Sequence, residues 1–160
     1  MGLSPDDDRV ELACFEVRGQ LFGIDVQQVR EIVRAQAVTP LPKAPGLIEG
    51  VIDLRGAIVP IVDLGRALCE APIADGTRAR IAIVEVDGLV FGLRVDSAAE
   101  VLAVSASDIE GPPALVAQAG YDAVRAVVRR EGSAPALVLS LEHLLESVYR
   151  SALPAPAEDE

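Results

Sequence analysis

FEVRGQLFGI, residues 15–24, is followed 69 positions later by VEVDGLVFGL, residues 84–93. Each segment alternates apolar and polar residues, turns at a glycine-bearing dipeptide and resumes its alternation, as a β-hairpin does. Extended to residues 15–33 and 84–102, the two stretches keep Glu16/Glu85, Val17/Val86, Gly19/Gly88, Phe22/Phe91, Gly23/Gly92, Val26/Val95 and Glu31/Glu100 in register, seven identities in 19 positions. Short apolar strands have few ways to differ, but chance alternation does not align both hairpin glycines and the Phe-Gly step. IVDL at 61–64 and VLSL at 138–141 also correspond, each ending a strand and leading into a helix. The doubling implies two similar five-stranded barrels built from a repeated unit, with strands of ordinary length.

Outward from the repeat, the remaining elements follow from turn chemistry. Asp25 precedes VQQVREIV as an N-cap for one or two helical turns that pass into a strand near Ile32. Pro40, Pro42 and Pro45 hold the next segment extended and outside any ladder. GLIEGVIDL and AIVPIVDL flank Arg55-Gly56 as a second hairpin, and Pro60 within it marks an edge, a bulge or a barrel corner. A short amphipathic helix, LGRALCE, follows Asp63. Later, AAEVLAV reads as a strand, AVRAVVRREG and PALVLS pair around Gly132, and Leu141, Leu144, Leu145 and Val148 share one face of a terminal helix. The acidic, Pro-bearing ends, 1–8 and 151–160, are expected to be disordered.

The chain has 160 residues, 51% of them hydrophobic, enough to bury a core without metals or disulfides. Its 14 basic side chains face 25 acidic ones, so it lacks the cationic surface that binds nucleic acid or an anionic membrane. Cys14 and Cys69 lie among apolar neighbours and are expected to be buried free thiols. No secretory leader or membrane span is legible, and the expected location is the cytoplasm.

Catalytic constellations are missing from the sequence. The one imidazole, His143, sits in LEHLLE on the terminal helix and reads as a surface or boundary residue. There is no Gly-rich phosphate loop, no HExxH, no GxSxG and no clustered Cys/His, so no cofactor or metal is expected. Asp53, Asp63 and Asp96 each end an apolar strand, where a general acid or base can sit. Aspartate in that place more often caps a helix or closes a turn, and the three are expected to be scattered. Strand alternation puts Asp53 and Arg55 on one face as an ion pair of small net worth. Arg55-Gly56 reads in two ways, as a guanidinium projected towards a partner's carboxylate or as a hairpin turn with one solvated Arg.

Val29-x-Glu31-Ile32, Pro42-x-x-Pro45-x-x-x-x-Gly50, Leu54-Arg55-Gly56, Ile58-Val59-Pro60-Ile61-Val62-Asp63-Leu64 and Gly92-Leu93-x-Val95-Asp96 together resemble the CheW family, the adaptor module of bacterial chemotaxis systems, over nearly all of residues 11–146. The resemblance implies a mainly β protein of two five-stranded SH3-like barrels packed on each other, with short helices and a C-terminal helix. The first barrel would cover about 18–76 and the second about 77–150 together with an exchanged N-terminal strand, 9–17. It implies no enzymatic activity and two partners, a chemoreceptor cytoplasmic tip and the regulatory domain of a histidine kinase, joined by a protein that is a monomer alone and part of a larger array. Val29, Glu31, Arg55 and Gly56 match positions of the receptor-binding surface, and Gly50 with its hairpin matches the kinase-sensitive region.

Asp53 stands where the family usually has Asn, adding negative charge beside Arg55, and Ser140 stands where an Asp often precedes the last helix. Two other readings compete with the adaptor: a diverged scaffold of a non-chemotaxis motility or regulatory pathway, and a small enzyme working through Asp53, Asp63 or Asp96.

Overall fold

Arg18-Gly19, Arg55-Gly56 and Asp87-Gly88 all take the doubly left-handed backbone of a tight hairpin turn, with φ of 51° at each first residue and 84°, 89° and 81° at the glycines. In the computed structural model, which describes residues 9–44, 46–69, 71–74, 76–114 and 123–152, these turns join β1 (Arg9–Val17) to β2 (Gln20–Asp25), β4 (Ile48–Leu54) to β5 (Ala57–Asp63) and β6 (Arg80–Val86) to β7 (Leu89–Val95). β3 (Val29–Arg34) follows a 3-10 turn at Val26–Gln28, shorter than the helix expected there. Asp25 does cap that turn, accepting from the Gln27 N–H at 2.9 Å. α1 (Leu64–Cys69) closes the first half. The second half continues with β8 (Ser97–Ser105), β9 (Ile109–Glu110), β10 (Val124–Arg130), β11 (Ser133–Leu139) and α2 (Leu141–Ala152).

The strands form two sheets, β8-β1-β2-β11-β10-β9 and β3-β6-β7-β5-β4, one of six strands and one of five rather than five in each. The extra member is β9, two residues paired to Val127 and Val128. The sheets also do not divide at residues 76/77. β1 and β2 both lie among strands of the second half, and β6 and β7 lie among strands of the first. Whole hairpins are therefore exchanged in both directions, not the N-terminal strand alone. The exchange is symmetric: β1 pairs with β8 as β6 pairs with β3, and β2 runs parallel to β11 as β7 runs parallel to β5. The expected tails at 1–8 and 153–160 lie outside the described residues, and positions 151 and 152 belong to α2.

Exchange makes the hairpin strands double-faced. Ala13, Phe15 and Val17 of β1, with Ala82, Val84 and Val86 of β6, enter a central core shared by both sheets and completed by Leu141, Leu144 and Val148 of α2. On the opposite faces, Leu12 and Cys14 enter a smaller core under the six-stranded sheet, and Ile81 and Ile83 enter one under the five-stranded sheet. Burial on both faces is why RIAIVEV reads as a nearly continuous apolar run. The repeated Phe-Gly step has a packing cause as well: a Cβ on Gly92 would lie 2.6 Å from Ile61 Cδ1 and 2.7 Å from Ile81 Cγ2.

Pro60 sits in a strand flanked on both sides, and the geometry leaves its missing donor uncalled for. Its partner on β4 is Val51, whose N–H and C=O instead exchange bonds with Thr39 at 2.9 and 2.8 Å, and pairing to β7 begins only at Ile61. Cys14 is buried and Cys69, at the end of α1, is exposed, against the expectation of two buried thiols. Burial pushes the Cys14 thiol up to about 11, which leaves it protonated and unreactive at neutral pH.

Candidate functional site

One end of the five-stranded sheet collects most of the candidate residues. β6 runs towards its tip at Asp87-Gly88, and the antiparallel register Val29↔Val84 brings the start of β3 to that same end. β5 and β7 run parallel, with Ile61 beside Gly92, so the Arg55-Gly56 tip lies next to the Asp87-Gly88 tip. Val29, Glu31, Arg55 and Gly56, far apart in sequence, thus share one surface. Gly50 does not.

Arg55 pairs with Glu31, not with Asp53. The left-handed backbone at Arg55 breaks the strand alternation that would have set it beside Asp53, and the Asp53 carboxylate turns inward to accept the Gly56 N–H at 2.8 Å. β3 and β4 are the outer strands of their sheet; the Arg55–Glu31 pair links the tip after β4 to β3, and the Thr39/Val51 bridge joins the linker to β4. Arg30 and Glu85 form a neighbouring pair at 3.5 Å. Val29 is half-buried, its side chain packed on the central core. Gly50 is buried beneath the proline-rich linker, where a Cβ would lie 2.2 Å from the Thr39 carbonyl oxygen. It seats the linker on β4 and offers no contact surface of its own.

The three aspartates weighed for catalysis are each engaged by backbone donors. Asp63, 5% exposed, accepts from Arg66 N–H at 3.0 Å and from Ile73 N–H at 3.1 Å, capping α1 and anchoring the loop after it. Asp96 accepts from Arg18 N–H at 2.6 Å, and Asp53 closes its turn. They do not converge, and among the described residues no group of His, Cys, Asp and Glu is placed to hold a metal ion. Ser140, the departure from the family pattern, keeps the capping role of the absent Asp: its hydroxyl accepts the His143 N–H at 3.2 Å and contacts His143 Nδ1 at 2.7 Å.

Two residues of the site escaped the sequence reading. Ile58 and Leu89 are 65% and 43% exposed, each just after one of the two tips, on strands that pair in parallel from Ile61 and Gly92 onward. Leu89 lines an apolar groove together with Pro60, Val62 and Phe91 of the sheet and Leu145 and Val148 of α2. The isoleucine and leucine were visible in the sequence, but their exposure at one end of the sheet depends on a parallel pairing between distant strands.

The model of the CheW-like domain matches residues 11–149. The chain is 34% identical to a chemotaxis protein CheW of Treponema pallidum over 91% of its own length and 87% of that protein's, and 36% identical to one of Rhizobium meliloti over 89% and 91%. A crystal structure of the scaffolding protein TtCheW from Thermoanaerobacter tengcongensis superposes with a TM-score of 0.77 at 29% identity, covering 86% of this chain and 92% of that one. Among the described residues no helix is long and apolar enough to cross a membrane. Sequence and fold agree over almost the full length, and the chain belongs to the CheW family.

Proposed function

We propose that this protein is a non-enzymatic coupling adaptor of bacterial chemosensory signalling, joining the cytoplasmic tip of a chemoreceptor to the regulatory domain of a histidine kinase. It works in the cytoplasm, as a monomer outside the array and as one component within it. The observation that carries the reading is the gathering of Glu31, Arg55 and Gly56 at one end of the five-stranded sheet, with Val29 half-buried beside them, in a family member whose candidate catalytic carboxylates are all engaged by backbone N–H groups. That end is the receptor surface. The β4 hairpin, held against the linker at Gly50, is the kinase-sensitive region, and Gly50 acts there by setting the position of the strand.

The Arg55 guanidinium is one charged feature of the receptor surface, exposed to 68% and oriented by Glu31. Arg55→Glu places like charges together and reverses the sign presented to a partner, which opposes a carboxylate-bearing receptor tip. The expected result is an unchanged circular dichroism spectrum and melting temperature, about tenfold weaker binding to the receptor tip, a difference of about 1.4 kcal/mol, and reduced kinase activation in a reconstituted receptor–adaptor–kinase assembly. Wild-type coupling by Arg55→Glu would remove Arg55 from the surface. Failure of the unaltered protein to bind both receptor tip and kinase domain would remove the function.

A further inference from the structure

The two barrel ends are equivalent by the repeat, yet they have diverged in chemistry. Around the five-stranded sheet the tips are Arg55-Gly56 and Asp87-Gly88, followed by Ile58 and Leu89; around the six-stranded sheet they are Glu131-Gly132 and Arg18-Gly19, and the parallel registers Ile61↔Gly92 and Val138↔Gly23 put Pro135 and Gln20 at the corresponding places. Gln20 is tied down, its side-chain amide donating to the Leu21 and Pro135 carbonyls at 3.1 Å each. Ile58 and Leu89 instead stand in solvent, on the face that continues into the apolar groove beside α2. At the place of Leu89 the other copy of the repeat carries the polar Gln20, so folding alone does not require a leucine there.

We infer that Ile58 and Leu89 are the apolar anchors of the receptor-docking end, and that they take an aliphatic side chain of the receptor tip flanked by a lysine or arginine that faces Asp87. This rests on the adaptor reading above and names the chemistry of its partner. The charge follows from bookkeeping at the rim. Arg55 is matched by Glu31 and Arg30 by Glu85, while Asp53 is held by the Gly56 N–H. Asp87 is exposed and enters none of the ion pairs among the described residues. A second copy of this chain is a poor occupant: its other end offers a Gln20 already tied to backbone carbonyls in place of Leu89, and its matching end sets Asp87 against Asp87.

The test titrates the full chain with a purified receptor cytoplasmic-tip fragment and, separately, with the kinase regulatory domain, by calorimetry. Ile58→Ala/Leu89→Gln, which removes both apolar side chains, is expected to keep the wild-type melting curve and to weaken receptor-tip binding at least tenfold. Asp87→Lys is expected to weaken it severalfold and to flatten its dependence on salt, while Ala134→Glu at the opposite end leaves it unchanged. A double variant that binds the receptor tip as the unaltered chain does overturns the inference and leaves the adaptor function standing. A double variant that loses only the kinase domain, or loses only self-association, also overturns it. An unaltered chain that ignores the receptor tip overturns the adaptor reading and this inference together.

Discussion

Glu49 shows what a single side chain contributes when its environment opposes its charge. It pairs with Arg94 across β4 and β7 at 2.7 Å, near Asp63 and Arg66, and its Oε1 is buried with no hydrogen-bond partner among the described residues. Burial is the largest influence and outweighs the attraction of Arg94, so the carboxyl is held above the ordinary value of 4.5. A carboxyl with a raised folded pKa stabilises the fold most at pH below the unfolded value, and that contribution is lost as the pH rises through the folded one. Urea denaturation of the wild type and Glu49→Gln should therefore show the wild type losing stability relative to the variant as the pH climbs from about 4 to neutrality, most steeply between 4.5 and the raised folded value. A difference independent of pH would mean that Glu49 is not desolvated. The sequence showed a glutamate in a strand; only the packing of α1 and β7 around it reveals the cost.

At the scale of elements, the cap residues link the two halves of the repeat. Asp63 and Ser140 occupy equivalent places, each accepting the backbone N–H three residues on and starting a helix. Asp63 carries the additional bond to Ile73, a buried donor with no obvious replacement acceptor. Asp63→Ala should cost about 2–3 kcal/mol, the sum of a lost cap and an orphaned buried N–H. Ser140→Ala should cost about 1 kcal/mol, and thermal melts of the two variants check that order. These caps were legible in IVDL and VLSL because capping is local. The Asp53–Arg55 pair expected from strand alternation did not form because a turn with positive φ had already begun at Arg55.

For the whole molecule, the exchange of hairpins ties the halves into a single folding unit. A fragment of residues 1–76 holds β1 and β2 without β8 or β11, and a fragment of 77–160 holds β6 and β7 without β3 or β5. Each would expose both faces of its hairpin and lose its share of the central core. Neither fragment should show a cooperative melt alone, and mixing the two should restore one near the intact protein's; independent cooperative melting of either would contradict the exchange. The sequence by itself determined the repeat, its hairpins, its helix caps and the absence of catalytic motifs, since turn geometry, alternation and capping act over a few residues. Only the tertiary structure decided which sheet receives each hairpin, that Arg55 meets Glu31, and that Ile58 and Leu89 stay exposed on strands that run parallel. Those facts rest on pairings between strands distant in the chain, where many registers satisfy the local pattern and only burial of a common core selects one.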